Sequence, residues 1–207
     1  MNDQSGKGQT RIQKQNSRKI REAALDVFSA EGFRGATIDR IAAAAGMSKP
    51  NLLYYYATKE EIYRAVLDAT LDNWLEPLRA IDPDGDAVSE LRNYIRRKLE
   101  MARDFPRESR LYANEIIRGA PIITEELEDL RTLVNEKSEI IRGWIARGQM
   151  AEIDPRHLFF AIWAMTQHYA DFDAQVRTVL DDSGDGRFND AARAVETLVF
   201  SGLRPRP

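Results

Sequence analysis

Residues 37–56, TIDRIAAAAGMSKPNLLYYY, constrain the fold more than any other part of this chain. Two short helical patterns meet at a Gly46-Met47 step, and Ser48 and Thr37 each stand where a helix N-cap is wanted. Pro50 falls in the first turn of the second pattern, where a missing N–H costs nothing. Ala42 to Ala45 are small enough for two helices to approach closely, and Gly46 can take a turn that other residues resist. Two helices joined by a tight glycine-containing turn make a helix-turn-helix, whose second helix can enter a major groove with its N-terminal residues foremost.

The rest of the chain reads as helix as well. Ile20, Ala23, Ala24, Val27 and Phe28 recur at three- and four-residue spacing after Ser17, predicting a first helix closed at Gly32. Inward positions of the second are Ile38, Ile41, Ala42 and Ala45, and Leu52, Leu53 and one or two of Tyr54, Tyr55 and Tyr56 are expected core of the third. Thr58 and Glu61 form a capping box that opens a fourth helix running to about Leu78. IDPDGD at 81–86 is the clearest break, and amphipathic stretches follow at 87–103, 107–118, 122–147, 155–173 and 189–202. No alternating strand and no repeat is visible. The expectation is an all-α chain of about nine helices, with a flexible basic arm at 1–16, a helix-turn-helix domain at 17–62 and a larger helical domain at 63–207.

Charge divides along the same line. Residues 1–60 hold ten basic and six acidic residues, whereas the remainder holds twenty basic and twenty-seven acidic. A basic head on an acidic body suits a head that meets a polyanion, although basic N-terminal tails are often merely solvated. Apolar content of 43% and charged content of 30% are ordinary for a globular protein, and no run approaches the roughly 18 apolar residues of a membrane span. The polar N-terminus lacks the apolar core of a secretory signal, and the absence of cysteine removes disulfides and thiolate chemistry, so a cytoplasmic protein without metal or cofactor is expected.

Within the head, Lys49 can reach guanine or a phosphate, Asn51 can bridge adenine, and Tyr54 and Tyr55 can bond phosphate oxygens. Asn51 suits plain solvation equally well. Thr37, Ser48 and Lys59 lie near helix N-termini where phosphates bind, and Arg11, Lys14, Arg18 and Lys19 would add salt-sensitive affinity. In the body, Trp163 and Gln167 share one helix face, offering a flat stacking surface and an amide with both donors and an acceptor. Trp74, Tyr112, Glu115 and His168 are further candidates to line a pocket between helices. A tryptophan on an apolar face is more often core, and Gln167 and His168 could equally be satisfied interior groups or interface residues.

Residues 32–63, GFRGATIDRIAAAAGMSKPNLLYYYATKEEIY, resemble the DNA-binding head of TetR-family regulators along their whole length. The agreement includes Phe33 to Thr37, Ile41-Ala42, Gly46 to Ser48, Leu53 to Tyr56 and Lys59-Glu60. The resemblance implies a homodimer on a near-palindromic operator, usually a repressor released by a small ligand. Farther on, LDNWLEPL, YIRRKLEMARDFPRESRLYANEIIRGAP, NEKSEIIRGWI, IDPRHLFFAIWAMTQHYADF and GLRPR resemble pyrimidine-responsive members of the same family, implying uracil or thymine as effector. Residues 180–188 fit less well. The family also implies dimer contacts from the outer face of 155–173 and from Val195, Leu198 and Val199.

An enzyme is a poor alternative. The two histidines, His157 and His168, stand about 16 Å apart along one helix and cannot share a metal. His168 and Asp171 could pair, but no nucleophile has suitable spacing beside them. A purely structural helical protein would leave the basic head unexplained.

Overall fold

The computed structural model describes residues 11–182 and 184–204, which contain ten α-helices and no strand. They divide into two units, one ending at Leu67 and the other starting at Asp68.

The first unit holds α1 (Arg11–Gly35), α2 (Ile38–Ala44), α3 (Lys49–Tyr55) and the start of α4 (Lys59–Arg79). Residues 11–16, expected within a flexible arm, are instead the first turns of α1. Arg11, Gln13, Lys14 and Gln15 are strong helix formers, and Gln13 and Asn16 find partners on α3. Residues 1–10 of that arm lie outside the described residues. Gly32 departs from helical geometry at φ 68°, as a helix end should, but one further turn carries α1 to Gly35.

The α2–α3 turn closes by a double hydrogen bond, Gly46 N–H to the Ala43 carbonyl and Met47 N–H to the Ala42 carbonyl, both 3.0 Å. This is the Schellman pattern, and it puts Gly46 at φ 63°, where any side chain is strained. Ala42 and Ala45, three residues apart, face inward, while Ala43 and Ala44 are exposed. Ile20, Ala24, Phe28, Ile41, Leu52 and Ile62 are buried with them, and Phe28, Phe33 and Tyr63 form an aromatic trio with centroids 4.8–6.1 Å apart. Leu53, expected in the core, is 37% exposed, because a seven-residue helix turns only one narrow face inward and Leu52 takes it.

The second unit contains the rest of α4 with α5 (Ala87–Asp104), α6 (Pro106–Ile117), α7 (Thr124–Ala146), α8 (Pro155–Asp171), α9 (Asp173–Leu180) and α10 (Gly186–Gly202). Helix α8 is central, packing against α5, α6, α7 and α10. Its buried side chains Leu158, Phe159 and Ile162 meet Leu91, Ile95, Leu99 and Trp144 in one core. Asp86 and Asp154 cap α5 and α8 through bonds from Ser89 and Arg156 N–H, at 2.9 Å each.

Helix α9 has no counterpart among the stretches expected from the sequence: Val176, Val179 and Leu180 keep helical spacing, but the helix is only eight residues long and of these Val176 alone is buried. It is held by Arg187, 3% exposed, whose guanidinium bonds Asp173 at 2.9 Å. Val195 and Val199, expected at a dimer contact, are buried in the protomer's own core, whereas Leu198 and Phe160 are 66% and 52% exposed. A helix packed on α5 and α8 must turn its apolar period toward them, leaving only the outward residues for a partner.

Candidate nucleic-acid interface and interior cavity

In the first unit, the N-caps of α2, α3 and α4 are built from the residues singled out in the sequence. Thr37 Oγ1 accepts from Arg40 N–H at 3.3 Å and Ser48 Oγ from Asn51 N–H at 3.4 Å. The Thr58 hydroxyl likewise accepts from Glu61 N–H at 3.1 Å, while the Glu61 carboxylate reaches back to Ala57 N–H at 2.8 Å, one residue before the expected Thr58. Thr37, Ser48, Lys49, Asn51 and Tyr54 are all exposed. Lys49 is not a free cation, since its ammonium pairs with Asp39 at 2.9 Å.

Two side chains of α1, overlooked in the sequence, brace α3. Asn16 Nδ2 donates to the Tyr55 hydroxyl at 2.7 Å, and Gln13 Nε2 to the Tyr54 hydroxyl at 3.4 Å. Tyr54 is 71% exposed and Tyr55 half-buried, with their rings in edge contact at 5.2 Å. Arg11, Lys14, Arg18 and Lys19 are exposed on the same end of α1, Arg18 paired loosely with Glu22 at 3.6 Å. Lys59 turns the other way. Its ammonium donates to the Phe33 and Ala36 carbonyls at 2.8 and 3.0 Å and lies 4.5 Å from the Phe33 ring centroid. The phosphate contact expected of Lys59 therefore gives way to a capping role at the end of α1, because the helix stops at Gly35 and its last carbonyls have no helical partners there.

The second unit holds a cavity of about 370 Å³, open to solvent on one side and bordered by Trp74 of α4, Tyr112 of α6, Leu130 of α7, and Trp163 and Gln167 of α8. Four of the six expected pocket residues thus come together from three helices. Trp163 offers its ring rather than its N–H, which donates to the Tyr94 hydroxyl at 2.6 Å. Glu115 and His168 lie elsewhere. Tyr112, Ala113 and Ile116 define the cavity face of α6, so Glu115 points the opposite way, where its carboxylate accepts from Ile122 N–H at 3.1 Å. His168, about 100° round α8 from Gln167, is exposed and stacked on Phe172 at 4.9 Å.

Lys98 and Asp171 also border this cavity. Lys98 is 2% exposed, and burial brings its ammonium down to about 7, opposed by the Asp171 carboxylate. Burial in turn holds Asp171 above the usual carboxylate range, although Ser109 Oγ donates to it at 2.6 Å. Burial likewise pushes the Tyr112 phenol up to about 12. A signal for Lys98 was present: it occupies the apolar stripe of α5, between Tyr94-Ile95 and Ala102.

Comparison with known proteins agrees with both units. Residues 20–66 match the family model for bacterial regulatory proteins of the tetR family, and residues 67–206 that for the C-terminal region of YcdC-like proteins. The HTH-type transcriptional regulator RutR of Escherichia coli O157:H7 is 47% identical over 190 residues, 90% of each chain. The HTH-type transcriptional repressor SCO4008 of Streptomyces coelicolor is 30% identical over 81% of this chain and 84% of its own. Among solved structures, the transcriptional regulator SCO4942 of the same organism superposes with a TM-score of 0.74 at 23% identity, covering 93% of this chain and 99% of that one, a likeness of fold. With a braced, capped helix-turn-helix and relatives matching nine-tenths of its length, the chain belongs to the TetR family of DNA-binding transcriptional regulators.

Proposed function

We propose that the chain acts as a homodimeric repressor on a near-palindromic operator and is released by a small planar effector, a pyrimidine such as uracil or thymine. The observation that carries this reading is the cavity, where Trp74, Trp163 and Tyr112 bring ring surfaces and Gln167 an amide into about 370 Å³. Exposed Phe160 and Leu198, with exposed Ala161 and Ala164, supply apolar outer faces of α8 and α10 for dimerisation. The resemblance of the C-terminal stretches to pyrimidine-responsive regulators supports the effector class.

DNA recognition would be carried by Lys49, Asn51 and Tyr54 on α3, with Thr37, Ser48, Tyr55 and the basic residues Arg11, Lys14, Arg18 and Lys19 on the backbone. Helix α4 spans Lys59–Arg79, with Lys59 fastened to the end of α1 in the first unit and Trp74 bordering the cavity of the second. Effector binding against Trp74 would tilt this helix and alter the spacing of paired recognition helices. Half-sites lie about 34 Å apart, so a few ångströms of misfit weakens operator binding.

Titration of the full chain with uracil, followed by tryptophan fluorescence and heat, tests the reading directly. Saturable binding, lost in Gln167→Ala and accompanied by release of operator DNA, is expected. Unchanged operator affinity at saturating uracil would refute the release mechanism, and absence of binding to both uracil and thymine would refute the effector.

A further inference from the structure

Two hydrogen-bond donors on residues that border the cavity, the Lys98 ammonium and the Trp74 indole N–H, have no acceptor among the described residues. Lys98 Nζ lies 4.8 Å from the Trp74 ring centroid, and no hydrogen bond to it is found among the described residues. The Trp74 indole nitrogen is itself buried without a partner, in a side chain 6% exposed. A buried donor left unmatched costs far more than it does when bonded, so a site holding two of them is poised for a ligand that brings acceptors. Asp171, across the cavity on α8, has one oxygen committed to Ser109 and supplies an acceptor in return.

We propose that Lys98 and Trp74 are specificity-determining donors, taking two oxygen acceptors of a planar imide ring whose N–H goes to Asp171, and that Lys98 is protonated in the complex. This rests on the cavity being the effector site. It deepens that reading by specifying the edge recognised: a ring with acceptor oxygens flanking an N–H, and not a hydrophobic molecule of similar size.

Proton uptake follows from what faces Lys98. Helix α8 brings Asp171, and α6 brings Tyr112; α4 contributes Leu71, Trp74 and Leu75, and α7 Leu127 and Leu130, none of them titratable. Arg110 and His168 act on Asp171 from α6 and α8. Tyr112, raised by burial, stays neutral through neutral pH. Lys98, near 7 when the cavity holds no acceptor, is the group whose charge changes there. A carbonyl oxygen on the ammonium favours the charged form, so binding draws a proton from solvent. Affinity is greatest below about pH 7 and falls by up to about tenfold per unit above it, until the pH passes the value of Lys98 in the complex.

The test is calorimetry of the full chain at several pH values between about 6 and 8.5, in buffers of different ionisation heat, which counts protons taken up. Probes are uracil and an imide of another ring class, succinimide. Near pH 8 uptake approaching one proton per protomer is expected, since free Lys98 is then only about one-tenth charged. Lys98→Met should bind at least about tenfold more weakly near pH 6.5, with no uptake and a flat pH profile. Trp74→Phe keeps the ring and loses the N–H; it should lose about fivefold in affinity with proton uptake intact. If Lys98→Met fails to fold, the wild-type proton count and Trp74→Phe still decide. Uracil binding without proton uptake, or a wild-type profile in Lys98→Met, overturns the inference and leaves the pyrimidine reading standing. Lys98-dependent uptake with another imide but no binding of uracil supports the inference and overturns the pyrimidine reading. No saturable heat with any probe overturns both.

Discussion

The DNA-facing surface of the first unit and the cavity of the second are assembled at different ranges of the chain. Thr37, Ser48 and Thr58 each cap a helix within three residues of themselves, and the turn at Gly46 closes on Ala42 and Ala43. The cavity gathers α4, α5, α6, α7 and α8, from Leu71 to Asp171, and its polar groups meet only once those helices pack. A local site survives as long as its turns do. A site collected from five helices carries buried polar groups whose cost the rest of the unit must outweigh.

The strongest way to break this contrast is to disrupt the core beneath the local site. Phe28 is 1% exposed and lies 4.9 Å from Tyr63, so Phe28→Ala should cost about 3–5 kcal/mol. Operator binding should be lost in a gel-shift assay while uracil binding by calorimetry persists. Loss of both together would show that the two sites do not stand on separate cores.

Next in size is the cost of burying Lys98. Its folded value lies below its unfolded one, so the charged side chain opposes folding; the penalty is full below about pH 7 and fades as pH rises toward 10.5. Without ligand, wild-type stability in urea should climb by roughly 2 kcal/mol from pH 7 to 9, a window below the tyrosines. Lys98→Met should be more stable than wild type at pH 7 and lack that climb. Parallel curves for the two proteins would mean that Lys98 is hydrated.

The same difference in range explains what could be read in advance. Thr37, Ser48 and Gly46 were legible because capping and left-handed turns depend on neighbouring residues. Helix α9 was not, since its hold on the protein comes from Arg187, fourteen residues beyond Asp173. Trp74, Tyr112, Trp163 and Gln167 reach the cavity as expected, but resemblance and helical spacing could not separate them from Glu115 and His168, which differ by facing the other way. Lys98 stood in plain view on an apolar stripe. A lysine there reads as a snorkelling surface residue until packing shows that it has nowhere to go.

Lysines in the first unit give a test of smaller size. Lys59 holds two carbonyls, and its loss in Lys59→Met should cost about 1.5–3 kcal/mol of stability while leaving the salt dependence of operator binding unchanged. Lys49→Met should do the reverse, shifting stability little and lowering the log–log salt slope by about 0.9 for each phosphate that Lys49 neutralises. A reduced slope in Lys59→Met would return that residue to the DNA surface.

The smallest expected effect concerns the brace that ties the local site to the start of α1. Asn16 donates to Tyr55 at 2.7 Å across thirty-nine residues, so here the first unit also relies on a distant partner. Removing a neutral hydrogen bond of this kind costs about 0.5–1.5 kcal/mol. Asn16→Ala should therefore weaken operator binding by roughly three- to tenfold, by the same factor on specific and scrambled DNA if Tyr55 meets only the backbone. Tyr55→Phe should do the same, and the double variant should be no worse than either single one, since each removes the one shared bond. Additive losses would mean that Asn16 and Tyr55 reach DNA independently, and the helix-turn-helix would then be positioned by its local turns alone.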